Sequence, residues 1–401
     1  MSENLNQIVN SFNLNSKFSQ GVVESDRLLP SAHRVTQTQY LNTWRRVRDS
    51  GLDYGTSRHI FQLPETCRVI SSIFLEIDLP ALSGEKTYVQ NVGCHIIKTL
   101  QIRSNSNVVY DVNHYSETLR DYLESLSTEA YAAFCDAYLG GDVLTNDARK
   151  VYIPLLIPNS HFLQREARSS VRGSGCFPCS FDRKKFEFQI ELHPSTYVTT
   201  DRSAAGSILN AVSWSIREVV MRENDMLNYE KARGTYSINS RLFKKVDNGS
   251  DGWKINPAAT QLQIKFNALD GIIPEIQLLA IATNGQTIAN TPRDMRDLIL
   301  PTSLRLICDG TVVREFSSQQ EIKLELYKQG FVGNQTMKKC ARLIFASHLA
   351  SKTFTGGMVM DNISSLRIEA TFGAEVFYQC LFSQLQNFTM DDSGKLSCVV
   401  K

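Results

Sequence analysis

The chain has 401 residues, too many for one small core and suited to two domains of roughly 150–200 residues each. With 43 Lys+Arg against 41 Asp+Glu, the formal charge is +2, which excludes a protein that coats nucleic acid by charge alone. Hydrophobic residues at 42% and charged residues at 21% exclude global disorder, and the longest apolar run, 276–282, is too short for a membrane-spanning helix.

Residues 1–56 are rich in Asn, Ser and Gln and read as an extended N-terminal arm. Within it Tyr40, Leu41, Trp44 and Val47 fall at helical spacing, beside Arg45, Arg46 and Arg48. The expectation is a short amphipathic helix. It either packs on its own domain or anchors the arm, through Trp44, Arg45, Arg46 and Arg48, to a membrane, a genome or a neighbouring subunit.

From about residue 57 the period becomes two. Ile73, Leu75, Ile77 and Leu79 alternate with Phe74, Glu76 and Asp78, and Pro80 closes the run. Leu100 and Ile102 lead into the turn 104–107, and a helical stretch then carries Leu119, Leu123, Tyr131, Phe134 and Tyr138 until Gly140-Gly141 ends it. Strands resume at Val151–Pro154, at Phe186–Leu192 and at Val212–Ile216, and a polar connector covers 222–233. The second half repeats the style, with Leu262–Phe266, Ile276–Ala282, Leu304–Leu306, Leu366–Ile368, Val376–Phe382 and a strand-like end at 396–400. Asp309-Gly310 is the strongest hairpin turn in the chain. Many short strands with one or two helices predict an all-β protein of tandem antiparallel sandwiches, 57–222 and 223–401.

Catalytic constellations are absent from the sequence. There is no GxxxxGK[ST], HExxH or GxSxG, and Arg172-Gly173-Ser174-Gly175 lacks the third glycine of a dinucleotide loop. Cys176-Phe-Pro-Cys179 has zinc-type spacing but no second pair, so it reads as a loop with two thiols. Asp247–Gly252 resembles a calcium loop but lacks its terminal acid and reads as a surface turn. Nine irregularly spaced cysteines read as buried thiols in a reducing compartment, and the opening Met1-Ser2-Glu3-Asn4 has no basic-then-apolar leader. A chain of β-domains without catalytic clusters is expected to work through surface shape, with no cofactor, no metal and no enzymatic activity.

The order of these segments resembles double jelly-roll major capsid proteins of double-stranded DNA viruses, the hexon-like family of large DNA viruses, virophages and polinton-like elements. The likeness is carried by Ser57–Pro64 and Val69–Pro80, by Tyr88-Val89-Gln90-Asn91-Val92-Gly93-Cys94-His95-Ile96-Ile97-Lys98 and by Val151–Leu155. In the second half it is carried by Leu304–Phe316, by 344–365 with Gly356-Gly357, and by Val376–Leu396. The resemblance implies two tandem eight-stranded antiparallel jelly rolls with a few short helices in loops. It further implies a pseudo-hexagonal homotrimer that tiles an icosahedral virion shell, assembled inside the host cell rather than secreted. Implied partners are the chain itself, neighbouring capsomers, penton and minor capsid or cement proteins, and an internal membrane or genome reached by the arm. Two alternatives share the fold: an assembly scaffold or minor capsid protein, and a glycan-binding attachment protein.

Overall fold

The computed structural model describes residues 40–400 apart from loop segments, the longest being 158–176, 201–208, 224–235, 246–252, 286–297, 329–339 and 348–355. The Cys176/Cys179 pair, the Asp247–Gly252 turn and most of the 222–233 connector lie outside the described residues.

The first set of strands is β1 (Tyr40–Asp49), β2 (His59–Gln62), β3 (Val69–Leu79), β4 (Ile97–Ser104), β5 (Asn107–Val112), β6 (Arg149–Pro154), β7 (Phe177–Pro178), β8 (Ser180–Phe181), β9 (Lys184–Leu192) and β10 (Ala211–Met221). One sheet has the order β1-β10-β3-β6 and the other β2-β9-β4-β5, with the two-residue β7 and β8 added to them. All neighbours are antiparallel.

The second set is β11 (Tyr236–Lys245), β12 (Lys254–Asn256), β13 (Leu262–Phe266), β14 (Ile272–Ile273), β15 (Glu275–Ala282), β16 (Ser303–Cys308), β17 (Thr311–Phe316), β18 (Ala341–Ile344), β19 (Met358–Val359), β20 (Leu366–Thr371), β21 (Val376–Met390) and β22 (Leu396–Val400). Its sheets are β11-β21-β15-β18 and β13-β20-β16-β17. With β7, β8, β12, β14, β19 and β22, which lie off the main sheet paths, set aside, both halves follow one path. The first strand pairs with the eighth, then third and sixth; the second pairs with the seventh, then fourth and fifth. Each half is an eight-stranded jelly roll, and the fold is all-β, as the sequence predicts.

Period-two burial builds each sandwich. In β13 the pattern alternates strictly, with Leu262, Ile264 and Phe266 inward. In the first roll, Ile73, Leu75 and Ile77 of β3 share the core with Trp214 and Ile216 of β10. Trp214 is fully buried and stacks on Phe61 of the opposite sheet, ring centroids 4.1 Å apart, which ties the two sheets together. The Asp309-Gly310 turn closes the β16–β17 hairpin with both residues at positive φ, 47° and 80°, the conformation of a type I′ turn.

Helices occupy the same connection in both rolls, between the fifth and sixth strands. The first roll carries α1 (Tyr115–Glu124) and α2 (Thr128–Tyr138), where the sequence predicts one helical stretch; the second carries α3 (Gln319–Lys328), which was not expected. Gly140 and Gly141 end α2 at φ 95° and 68°.

One expectation is overturned. Residues 40–49 are the strand β1 rather than a helix, and they pair along their whole length with β10. The expected start of the first sandwich at residue 57 therefore leaves its first strand out. The spacing of Tyr40, Leu41, Trp44 and Val47 fits a helix, but β10 offers a long open edge, and tertiary pairing overrides the local pattern.

Candidate assembly surfaces

Among the described residues no group of three or more metal-ligating side chains is found, and no helix is long and apolar enough to cross a membrane. The buried polar groups instead hold strands together. The Tyr115 hydroxyl donates to the Pro154 carbonyl and accepts from the Leu156 amide, which docks α1 onto the end of β6. Asp49, at the end of β1, takes Nε1–H of Trp214 at 2.7 Å and the Gly51 amide at 3.0 Å, and its Oδ2 lies 2.6 Å from His59 Nε2. Burial alone would raise the Asp49 carboxyl. The bonds from Trp214, Gly51 and His59 outweigh it and hold the group below its ordinary value.

The candidate anchor residues are brought together by β1 but not onto one face. Trp44, Arg46 and Arg48 point outward from the sheet, while Arg45 and Val47 alternate to the other side. Arg45 reaches Glu218 at 3.1 Å and donates to the Thr66 hydroxyl at 2.8 Å. Arg46 pairs with Glu76 of β3 at 2.6 Å, and Lys150 of β6 lies 3.5 Å from Asp78. Trp44 is 59% exposed, and its ring centroid lies 6.0 Å from that of Phe74. The outward face of the first sheet thus carries the exposed Trp44 beside Phe74 at one end and, next to them, a lattice of charges in which Glu76 is itself buried.

The corresponding face of the second roll is closed. On β15, Glu275, Gln277, Leu279 and Ile281 all point out of their own sandwich, yet each is buried. Leu279 and Ile281 are covered by Trp253, Leu298 and Cys340 of the same roll. Arg120 of α1, in the first roll, donates to Gln277 Oε1 at 3.1 Å in a buried contact. Beside it Arg342 of β18 pairs with Glu275 at 3.1 Å, both side chains fully buried. The helix of one roll is thus seated against the outward face of the next. Sequence reasoning missed this contact: Arg120 reads as a solvent-facing helix residue, and only the oddity of Glu275 and Gln277 in an otherwise apolar strand hints at it.

No family model and no curated protein sequence matches the chain. Solved structures do. The PBCV-1 virus capsid matches with a TM-score of 0.64 at 11% identity, over 90% of this chain and 98% of that one. The Faustovirus major capsid protein matches with a TM-score of 0.60 at 10% identity, over 96% and 98%. The mavirus major capsid protein matches with a TM-score of 0.54 at 10% identity, over 92% and 93%. The chain therefore shares the tandem double jelly-roll fold of these viral capsid proteins over most of its length.

Proposed function

We propose that the chain is a major capsid protein, a structural subunit that forms pseudo-hexagonal homotrimers and tiles an icosahedral virion shell. The observation that carries this reading is the likeness to chains named as major capsid proteins, which uses most of this chain and most of theirs. The proposal includes no catalysed reaction. Three copies of two rolls each give six similar units around one axis, which suits a hexagonal lattice. Trimer contacts are expected to be large and partly apolar, and contacts between trimers smaller and more polar. Further partners on this reading are penton and cement proteins at the capsomer edges, and a membrane or genome beneath the arm. Assembly takes place inside the host cell.

Sedimentation of the purified chain tests the reading. A mass of three times 45.2 kDa, followed by shells under negative-stain microscopy, is the expected result. A monomer that binds glycans would instead place the chain among attachment proteins.

A further inference from the structure

Three turns of the second roll place a glycine directly after an acid or its amide. They are Asp270-Gly271 before β14, Asn284-Gly285 after β15 and Asp309-Gly310 between β16 and β17. Two of them are tied down. Asp309 Oδ1 takes the Ser365 amide at 2.7 Å and lies 3.4 Å from its hydroxyl. Asp270 Oδ1 takes Gln384 Nε2 at 3.3 Å, and the Gly271 amide donates to Asp361 Oδ1 at 3.1 Å. Asn284 and Gly285 repeat the backbone of the Asp309 turn, φ 48° and 75° against 47° and 80°. Both residues are exposed, and among the described residues neither the Asn284 side chain nor the Gly285 amide is seen in a hydrogen bond. A Cβ at Gly285 would have nothing within 4 Å, so that side of the turn is open. Asn248-Gly249 is the other Asn-Gly pair of the sequence and lies outside the described residues.

We infer that Asn284 is a site of spontaneous covalent modification, at which the Gly285 backbone nitrogen displaces the side-chain amide. Hydroxide or water removes the Gly285 N–H proton, and the nitrogen attacks Cγ of Asn284. The N–Cγ bond forms, the Cγ–Nδ2 bond breaks, and the amide nitrogen takes up a proton and leaves as ammonia. The five-membered imide then adds one water. Opening at Cγ gives aspartate; opening at the backbone carbonyl gives isoaspartate, whose main chain is one methylene longer. No oxidant, reductant or enzyme is required. Glycine matters at the second position because no side chain shields the attacking nitrogen and the backbone can turn to reach Cγ. Each hydrogen bond that must first break slows the step roughly two- to tenfold, so the tied pairs at 270 and 309 are held back and the free pair is not. The product bears on the fold beside it. Thr283 donates its amide to the Glu375 carbonyl at 3.0 Å and its hydroxyl to the Glu375 carboxylate at 2.8 Å, which fastens the end of β15. A carboxylate at 284 adds a like charge one residue from that contact, and isoaspartate lengthens the chain there. The end of the β15–β21 pair is thus where the protein ages first, whatever it assembles into.

Prolonged incubation of the full chain at mildly alkaline pH, followed by peptide mapping in a mass spectrometer, tests it. In the peptide 266–293, Asn284 is expected to exchange an NH for an oxygen, and isoaspartyl methyltransferase is expected to label the same peptide. Conversion there is expected to outpace every other described asparagine by about tenfold or more, and to quicken as pH rises because the attacking nitrogen must lose its proton. Asn284→Gln, which would have to close a six-membered ring, is expected to remove the label from this peptide without lowering the melting temperature. An Asn284 that stays intact in the folded chain overturns the inference, and conversion of the guanidinium-unfolded chain beside it would locate the protection in the turn. Conversion at one uniform rate across all described asparagines would overturn it as well.

Discussion

Asp49 joins three parts of the first roll: its own strand β1, the Trp214 indole of β10, and His59 at the start of β2 in the opposite sheet. Replacing it by Ala leaves a buried indole N–H unsatisfied and is expected to cost about 2–3 kcal/mol at neutral pH. The pH dependence has a fixed sign. A carboxyl held below its unfolded value adds stability that is present above the unfolded value and is lost as pH falls through the folded one. Acid titration of unfolding is the check. Between about pH 5 and pH 2 the wild type is expected to lose more stability than Asp49→Asn, so that the two curves converge in acid. Parallel curves would mean that the carboxylate charge plays no part.

At the scale of elements, β1 shows what pairing does that periodicity cannot foretell. Strands β3, β9, β10 and β13 are legible as alternating residues because their inward positions are apolar and their outward positions largely polar, and in β13 the outward positions are also exposed. β15 and β18 are buried on both faces, and β15 accordingly reads as a continuous apolar run, interrupted only by Gln277. β1 reads as a helix because Tyr40, Leu41, Trp44 and Val47 recur at helical spacing, whereas in the strand Trp44 and Val47 fall on opposite faces, and only β10, some 170 residues later, decides the conformation. The candidate residues Trp44, Arg45, Arg46 and Arg48 were found as a group, but as a helix face; the strand splits them, sending Arg45 to Glu218. Helix α3 has a reciprocal cap that went unread: Ser318 Oγ accepts the Glu321 amide, and the Glu321 carboxylate accepts the Ser317 amide. Truncation tests the place of β1. Removing residues 1–39 keeps every described strand and is expected to leave thermal stability unchanged. Removing residues 1–50 strips the edge strand from the first sheet and is expected to yield insoluble protein. Equal solubility of the two truncations would show that β1 is dispensable.

For the whole molecule, the polar contact between rolls decides whether the chain behaves as one unit or two. Arg120 of the first roll and Gln277 of the second meet in a buried hydrogen bond, beside the buried Arg342–Glu275 pair of the second roll. Such buried polar contacts add little net stability, but they fix relative orientation, since any other arrangement leaves charges buried without a match. Arg120→Ala is expected to cost roughly 1–3 kcal/mol, lowering the melting temperature by about 2–4 °C for each kcal/mol. It is also expected to split the calorimetric transition in two as the rolls uncouple. A single transition at the wild-type temperature would show that other contacts hold the rolls in place.

The pairing of first strand with last has a consequence for how the chain is made. Val47 lies opposite Trp214, and Arg241 opposite Leu385. Neither roll can complete its first sheet until nearly all of its own length has left the ribosome, so β1 and then β11 must each wait, unpartnered, through most of a roll's synthesis. The first roll, once closed, presents α1 as a ready platform on which the second can settle while it is still emerging.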